Sequence, residues 1–176
     1  NISAYIPTNL ISITDGQLYL SPKLFELGIL PAVDVAKSVS RVGDKAQLPA
    51  YRSIANLKLE YAQFEELETF ARFGTRLDET TKKTIEHGKW IRECIKQPEL
   101  QQMPVSEQII ILLALKNGLL DNIPLDNIQD AENALLNNTE FPDEIIKRLF
   151  SNEKLSDEDS KAILKIAGKL LAPFED

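Results

Sequence analysis

The pattern of apolar and polar positions changes character about a quarter of the way along the chain. Up to residue 46 the apolar residues come in short runs. Asn9-Leu-Ile-Ser-Ile13 and Leu18-Tyr-Leu20 lie either side of Thr14-Asp-Gly-Gln17, an Asp-Gly turn signal between two β-rich segments. A hairpin or sheet edge is expected there. Pro22 opens a short helical stretch to Leu27, Gly28 stops it, and Pro31-Ala-Val-Asp-Val35 reads as one more extended segment. These elements are too few to close a sheet and have the texture of the end of a larger α/β domain, so the chain reads as a fragment.

From Gln47 the period becomes helical. Leu57, Tyr61, Phe64, Leu67 and Ala71 form one stripe on a long helix expected to end near Gly74. Asp78 is the cap candidate for a second helix running towards Gln97 and stopped by Pro98. A third starts at Ser106, carries the apolar run Ile109 to Leu115, and ends at Asn117-Gly118. Weaker helical patterns follow at about 126–137 and 143–150. Ser156-Asp-Glu-Asp159 then has capping-box form before a stripe of Ile163, Ile166, Leu170 and Leu171. The expectation is a mainly α chain, a bundle of five or six helices preceded by a short α/β segment.

Composition narrows the classes. With 43% apolar and 27% charged residues over 176 positions, the chain has the make-up of a packed globular protein, not of a disordered or fibrous one. Acids outnumber bases by 27 to 20, which argues against general affinity for nucleic acid or anionic lipid. Residues 1–100 are balanced, so the whole surplus falls after residue 100 and predicts an acidic solvated surface there. One cysteine, Cys94, excludes a disulfide framework, and one histidine, His87, leaves too few soft ligands for zinc. Ile109 to Leu115 is far short of the roughly 20 residues that cross a bilayer. A chain held in a reducing compartment, neither threaded through a membrane nor exported, is expected.

Chemistry-bearing motifs are sparse. No Gly-x-x-x-x-Gly-Lys-Ser/Thr and no Gly-x-Gly-x-x-Gly occurs, so these residues build no phosphate cradle of their own. His87 and Cys94 sit in a helical pattern without a partner cue, which suits a half-exposed helix residue and a small core residue. Trp90 reads as a packing anchor, and the acidic runs at 65–68 and 157–159 as solvated faces or caps. The informative segment is Ser38-Val-Ser-Arg-Val-Gly43. Arg41, just before a Gly turn at the seam between the two textures, is placed either to project a planar cation out of its own domain or to close a structural salt bridge.

That segment, with Ser3-Ala-Tyr-Ile-Pro-Thr-Asn9 and Ile11-Ser-Ile-Thr-Asp-Gly-Gln17, closely resembles the α subunits of F-type ATP synthases. The likeness continues through Leu59-Glu60, Phe73-Gly74, Leu77-Asp78, Glu107-Gln108 and Leu171-Ala-Pro-Phe-Glu175, so it covers the whole chain. It implies that residues 1–46 are the C-terminal segment of a RecA-like nucleotide-binding domain and 47–176 the family's C-terminal helical domain. By the same resemblance Arg41 matches an arginine finger, Ser12 a serine of the same catalytic neighbourhood, and Val39 lies in the finger loop. Pro31 and Gln97 match nucleotide-binding positions. The implied ligands are ATP and ADP with Mg²⁺ in the complete complex. The implied partners are β subunits, the central-stalk γ subunit and a peripheral-stalk δ-type subunit, with no nucleic acid and no direct membrane insertion. The implied place is a membrane-peripheral complex on the cytoplasmic face of a bacterial inner membrane, with a mitochondrial matrix or chloroplast stroma face as the alternative. Alone, the chain is expected to be inactive.

Some positions depart from the family pattern. Leu30-Pro31 stands where an Arg-Pro pair is usual, Gln97-Pro98-Glu99 supplies one Gln where Gln-x-Gln is usual, and Arg76 stands where an acid is common. A different reading of the chain is a freestanding helical interaction module without a catalytic role.

Overall fold

The computed structural model describes residues 3–71, 77–136 and 141–175. They divide into two compact units, Asn1–Gln47 and Leu48–Asp176. The expected end of the long helix near Gly74, the end of another at Asn137, and Arg76 fall outside the described residues.

The first unit opens with α1, Tyr5–Ile13, followed by β1, Gly16–Leu20, α2, Pro22–Glu26, and β2, Val33–Ser40. The stretch Asn9–Ile13, expected as a strand, is helical. Ile6, Leu10 and Ile13 recur at helical spacing, and Pro7 lies in the first turn, where its missing N–H has no intrahelical acceptor. Thr8 and Ser12 return their hydroxyls to the carbonyls of Ala4 and Thr8 at 2.8 and 2.9 Å. β-branched residues disfavour a helix only weakly, and here the hairpin partner that a strand needs is β2, not this segment.

β1 and β2 pair antiparallel, Gln17 opposite Val39 and Leu20 opposite Val33, with a bulge on the β2 side between them. Side chains hold the bulge: Ser38 Oγ donates to the Asp34 carbonyl at 2.6 Å and accepts from Tyr19 N–H at 3.0 Å. α2 behaves as its sequence predicts, with Pro22 in the first turn and Gly28 at φ 70° after its end.

The second unit is all helical: after two 3-10 turns come α3, Leu57–Ala71, α4, Glu79–Cys94, α5, Val105–Lys116, α6, Ile128–Leu136, α7, Asp143–Leu149, and α8, Asp157–Leu171. These six helices, counted among the described residues, agree with the expected bundle. Asp78 accepts from Thr81 N–H and Ser156 from Asp159 N–H, so both predicted caps are made. α4 stops at Cys94 rather than Gln97, because a residue before proline is driven out of the helical region and the chain must unwind ahead of Pro98.

α5 is the central helix. It touches α4, α6, α7 and α8, which is why Ile109 to Leu115 is apolar on nearly every side. Ile109, Leu115, Leu120, Ile123, Leu149, Ile163 and Leu171 are fully buried around it. α3 lies against α4 through Tyr61 and Phe64, and Arg92 of α4 covers the Phe64 ring at 4.4 Å. No helix among the described residues is long and apolar enough to cross a membrane.

Candidate functional site

The α1–β1–β2 unit brings two of the sequence-derived residues together. The last carbonyls of a helix have no intrahelical donor, and those of α1 face the end of β2. There the Arg41 guanidinium donates to the Ile11 carbonyl at 2.9 Å and to the Ser12 carbonyl at 3.4 Å, while Arg41 N–H donates to the Asp15 carbonyl at 2.7 Å. Arg41 thus finishes α1 as a cation at the negative end of the helix dipole. It pairs with no carboxylate among the described residues, and its side chain is exposed. A guanidinium carries five N–H donors, and two are used. The other three donate to no protein group among the described residues, and the side chain lies at the surface.

Ser12 itself directs its hydroxyl back into α1, so its contribution beside Arg41 is a carbonyl. Val39 precedes Arg41 by two residues, about half exposed in β2. Pro31 lies at the opposite end of that strand: its peptide bond with Leu30 is cis, and its carbonyl accepts from Val33 N–H at 2.7 Å.

Gln97 belongs to the second unit, in the segment between α4 and α5. Its amide donates to the Gln101 carbonyl, closing the loop on itself. Pro98 to Gln101 forms a turn with Leu100 at φ 63°, a conformation that favours glycine, and the Leu100 side chain is 95% exposed. Beneath the loop is a cavity of about 110 Å³ lined by Gln97, Lys96, Glu107, Gln129, Glu132 and Asn133, among others.

Glu132 is the residue that pattern reading missed. It is 8% exposed on α6, and burial pushes its carboxyl up to about 7, with Cys94 as a hydrogen-bond partner and Glu93 as a like charge nearby. Burial likewise drives the Cys94 thiol well up, with the Glu132 carboxyl adding to it. The available signal was an acid interrupting the apolar stripe Ile128, Ala131 and Leu135. His87 also has partners that its helical pattern did not reveal: Nδ1 lies 2.7 Å from Asp121 and Nε2 3.8 Å from Glu60.

A helical bundle that follows, along the chain, a short α/β segment with an exposed Arg at its end defines a class that sequence comparison specifies. Residues 47–170 match the family described as ATP synthase alpha/beta chain, C terminal domain, and residues 1–40 match the ATP synthase alpha/beta family, nucleotide-binding domain. The chain belongs to the ATP synthase alpha/beta family. More particularly, it is 62% identical to ATP synthase subunit alpha 1 of Shewanella frigidimarina over 99% of its own length and 34% of that protein's. It is 62% identical to ATP synthase subunit alpha 2 of Albidiferax ferrireducens, over 99% of this chain and 33% of the relative. With ATP synthase subunit alpha 1 of Chlorobium luteolum it shares 62% identity over 95% of this chain and 33% of the relative. The chain spans about a third of the length of the curated relatives it matches.

Proposed function

We propose that this chain is the C-terminal part of an F-type ATP synthase α subunit, with residues 1–46 closing the nucleotide-binding domain and 47–176 forming the helical domain. In the complete complex it supplies an arginine finger to ATP synthesis and hydrolysis coupled to proton or sodium transport. The observation that carries this reading is the exposed Arg41 guanidinium, seated on the carbonyls of Ile11 and Ser12 and compensated by no acid among the described residues. Phosphoryl transfer spreads negative charge over equatorial oxygens, and a guanidinium whose position is fixed from behind stabilises that charge without losing its proton. The two carbonyls provide the fixing.

In this reading Ser12 and Val39 shape the seat of Arg41, whereas Pro31 and Gln97 are nucleotide-side residues. ATP or ADP is the ligand, and Mg²⁺ rides with the phosphates. The partners are β, γ and peripheral-stalk δ-type subunits, and the complex is peripheral to the cytoplasmic face of a bacterial inner membrane. The experiment is Arg41→Ala in the assembled complex. Multi-site turnover should fall by about 10³ with nucleotide binding little changed, because the finger acts on charge that develops in the transition state. A complex that assembles normally and turns over at the original rate would remove the finger assignment.

A further inference from the structure

We propose that Asp34 is a positioning residue for the reaction: from the root of the β2 bulge it fixes the register that brings Arg41 onto the end of α1. This rests on the reading of Arg41 as an arginine finger and adds the residue that aims it.

β1 and β2 pair Gln17 with Val39 and Tyr19 with Asp34, so the one residue between on β1, Leu18, stands against four on β2, Val35 to Ser38. Such a surplus can be taken up in more than one way, and each alternative slides the end of β2 along β1. Asp34 closes this one. It is 8% exposed, and a buried carboxylate is retained only where hydrogen bonds satisfy it. Oδ1 accepts from Lys37 N–H at 3.0 Å, Oδ2 from the Lys37 ammonium at 2.7 Å, and the Asp34 carbonyl from Ser38 Oγ at 2.6 Å. Ser38 Oγ in turn accepts from Tyr19 N–H at 3.0 Å, which ties the folded surplus to β1.

Arg41 follows Ser38 by three residues. Its N–H makes the 2.7 Å bond to the Asp15 carbonyl, and its guanidinium reaches the carbonyls of Ile11 and Ser12. A strand advances about 3.3 Å per residue, and a slip of one residue turns its side chains to the opposite face. Arg41 would then leave both carbonyls. Stabilising a transition state needs donors aimed beforehand, and about 1 Å of misplacement can cost on the order of 10² in rate. The bond that matters is the one to Lys37 N–H, because it is made to the backbone and holds the turn. The Lys37 ammonium is more than half exposed, so its pairing contributes little.

The experiment compares Asp34→Asn and Asp34→Glu in the assembled complex, each alone and with Arg41→Ala. Asn keeps the acceptor for Lys37 N–H and drops the charge, and should turn over within about threefold of the original. Glu keeps the charge and moves the acceptor out by one methylene, so turnover should fall by about 10² with nucleotide binding and assembly unchanged. In the Arg41→Ala background the same change should make no further difference, since a finger that is absent cannot be mis-aimed. Original turnover in Asp34→Glu, failed assembly of that variant, equal losses for Asn and Glu, or a loss that adds to that of Arg41→Ala would each overturn the proposal. If Arg41→Ala alone turns over at the original rate, it is the finger reading that falls, and the role of Asp34 falls with it.

Discussion

Gly88 on α4 lies against Phe64 on α3 so closely that a Cβ at position 88 would fall 2.0 Å from Phe64 Cγ. Phe64 is fully buried beneath the Arg92 guanidinium, so the ring has nowhere to retreat. A glycine that costs the helix about 1 kcal/mol in propensity is therefore kept for close approach. Gly88→Ala should lower stability by on the order of 2 kcal/mol in urea denaturation, overpacking outweighing the propensity gain. An equally or more stable variant would contradict the contact.

Glu132 should make the chain less stable as pH rises from about 4.5 to about 7. Its folded carboxyl titrates at about 7, above the ordinary 4.5, so the folded state prefers the protonated form. The stability tied to that proton is complete below about 4.5 and is lost as pH rises through about 7. The swing is on the order of 3 kcal/mol at most. Glu132→Gln should flatten this part of the pH dependence and be more stable than the original at pH 8. A parallel pH profile for the two chains would refute it.

His87 titrates in the same direction for a different reason. The hydrogen bond to Asp121 raises its pKa above 6.5. Its stabilisation is full below 6.5 and disappears as pH rises through the higher folded value. Asp121→Asn should bring the imidazole titration, followed by NMR, down towards the ordinary value. It should cost about 1 kcal/mol below pH 6, a partly exposed pair being screened by water. An unmoved titration would mean that the pair is not made in solution.

Leu100 holds a backbone conformation with φ 63° while its side chain is almost entirely in water. No burial offsets that strain. Leu100→Gly should raise the thermal midpoint of the chain, by a free energy of roughly 1 kcal/mol. A lowered midpoint would show that the leucine makes a stabilising contact after all.

Arg41 should resist conservative replacement. A lysine ammonium has three donors but no planar fork, so it cannot hold the carbonyls of Ile11 and Ser12 and still present fixed N–H groups outward as the guanidinium does. Arg41→Lys in the assembled complex should restore little of the turnover lost in Arg41→Ala. Recovery to near the original rate would show that charge alone suffices.

Much of the bundle is legible in the sequence because its signals are local. Asp78 and Ser156 each cap a helix through a residue three positions on, and the stripe Leu57, Tyr61, Phe64 repeats within a single element. Arg41 stood out for the same reason, as an arginine just before a glycine turn. Glu132 was legible only as a polar break in an apolar stripe. The run from Asn9 to Ile13 reads as a strand on its own five residues, and the helical spacing shows only when Ile6 is counted with Leu10 and Ile13.

The sequence by itself determined where the helices of the second unit begin, which face of most of them is apolar, and that a short α/β segment precedes them. Tertiary structure decided what depends on residues far apart in the chain. It paired β1 with a strand beyond α2, leaving Tyr5–Ile13 helical, and it set Arg41 on carbonyls about thirty positions earlier. It also gave His87 an acid 34 positions later and buried Glu132 beside Cys94. Helix caps and stripes are fixed by bonds and periods within a few residues, whereas a partner for a side chain is fixed by which elements pack together.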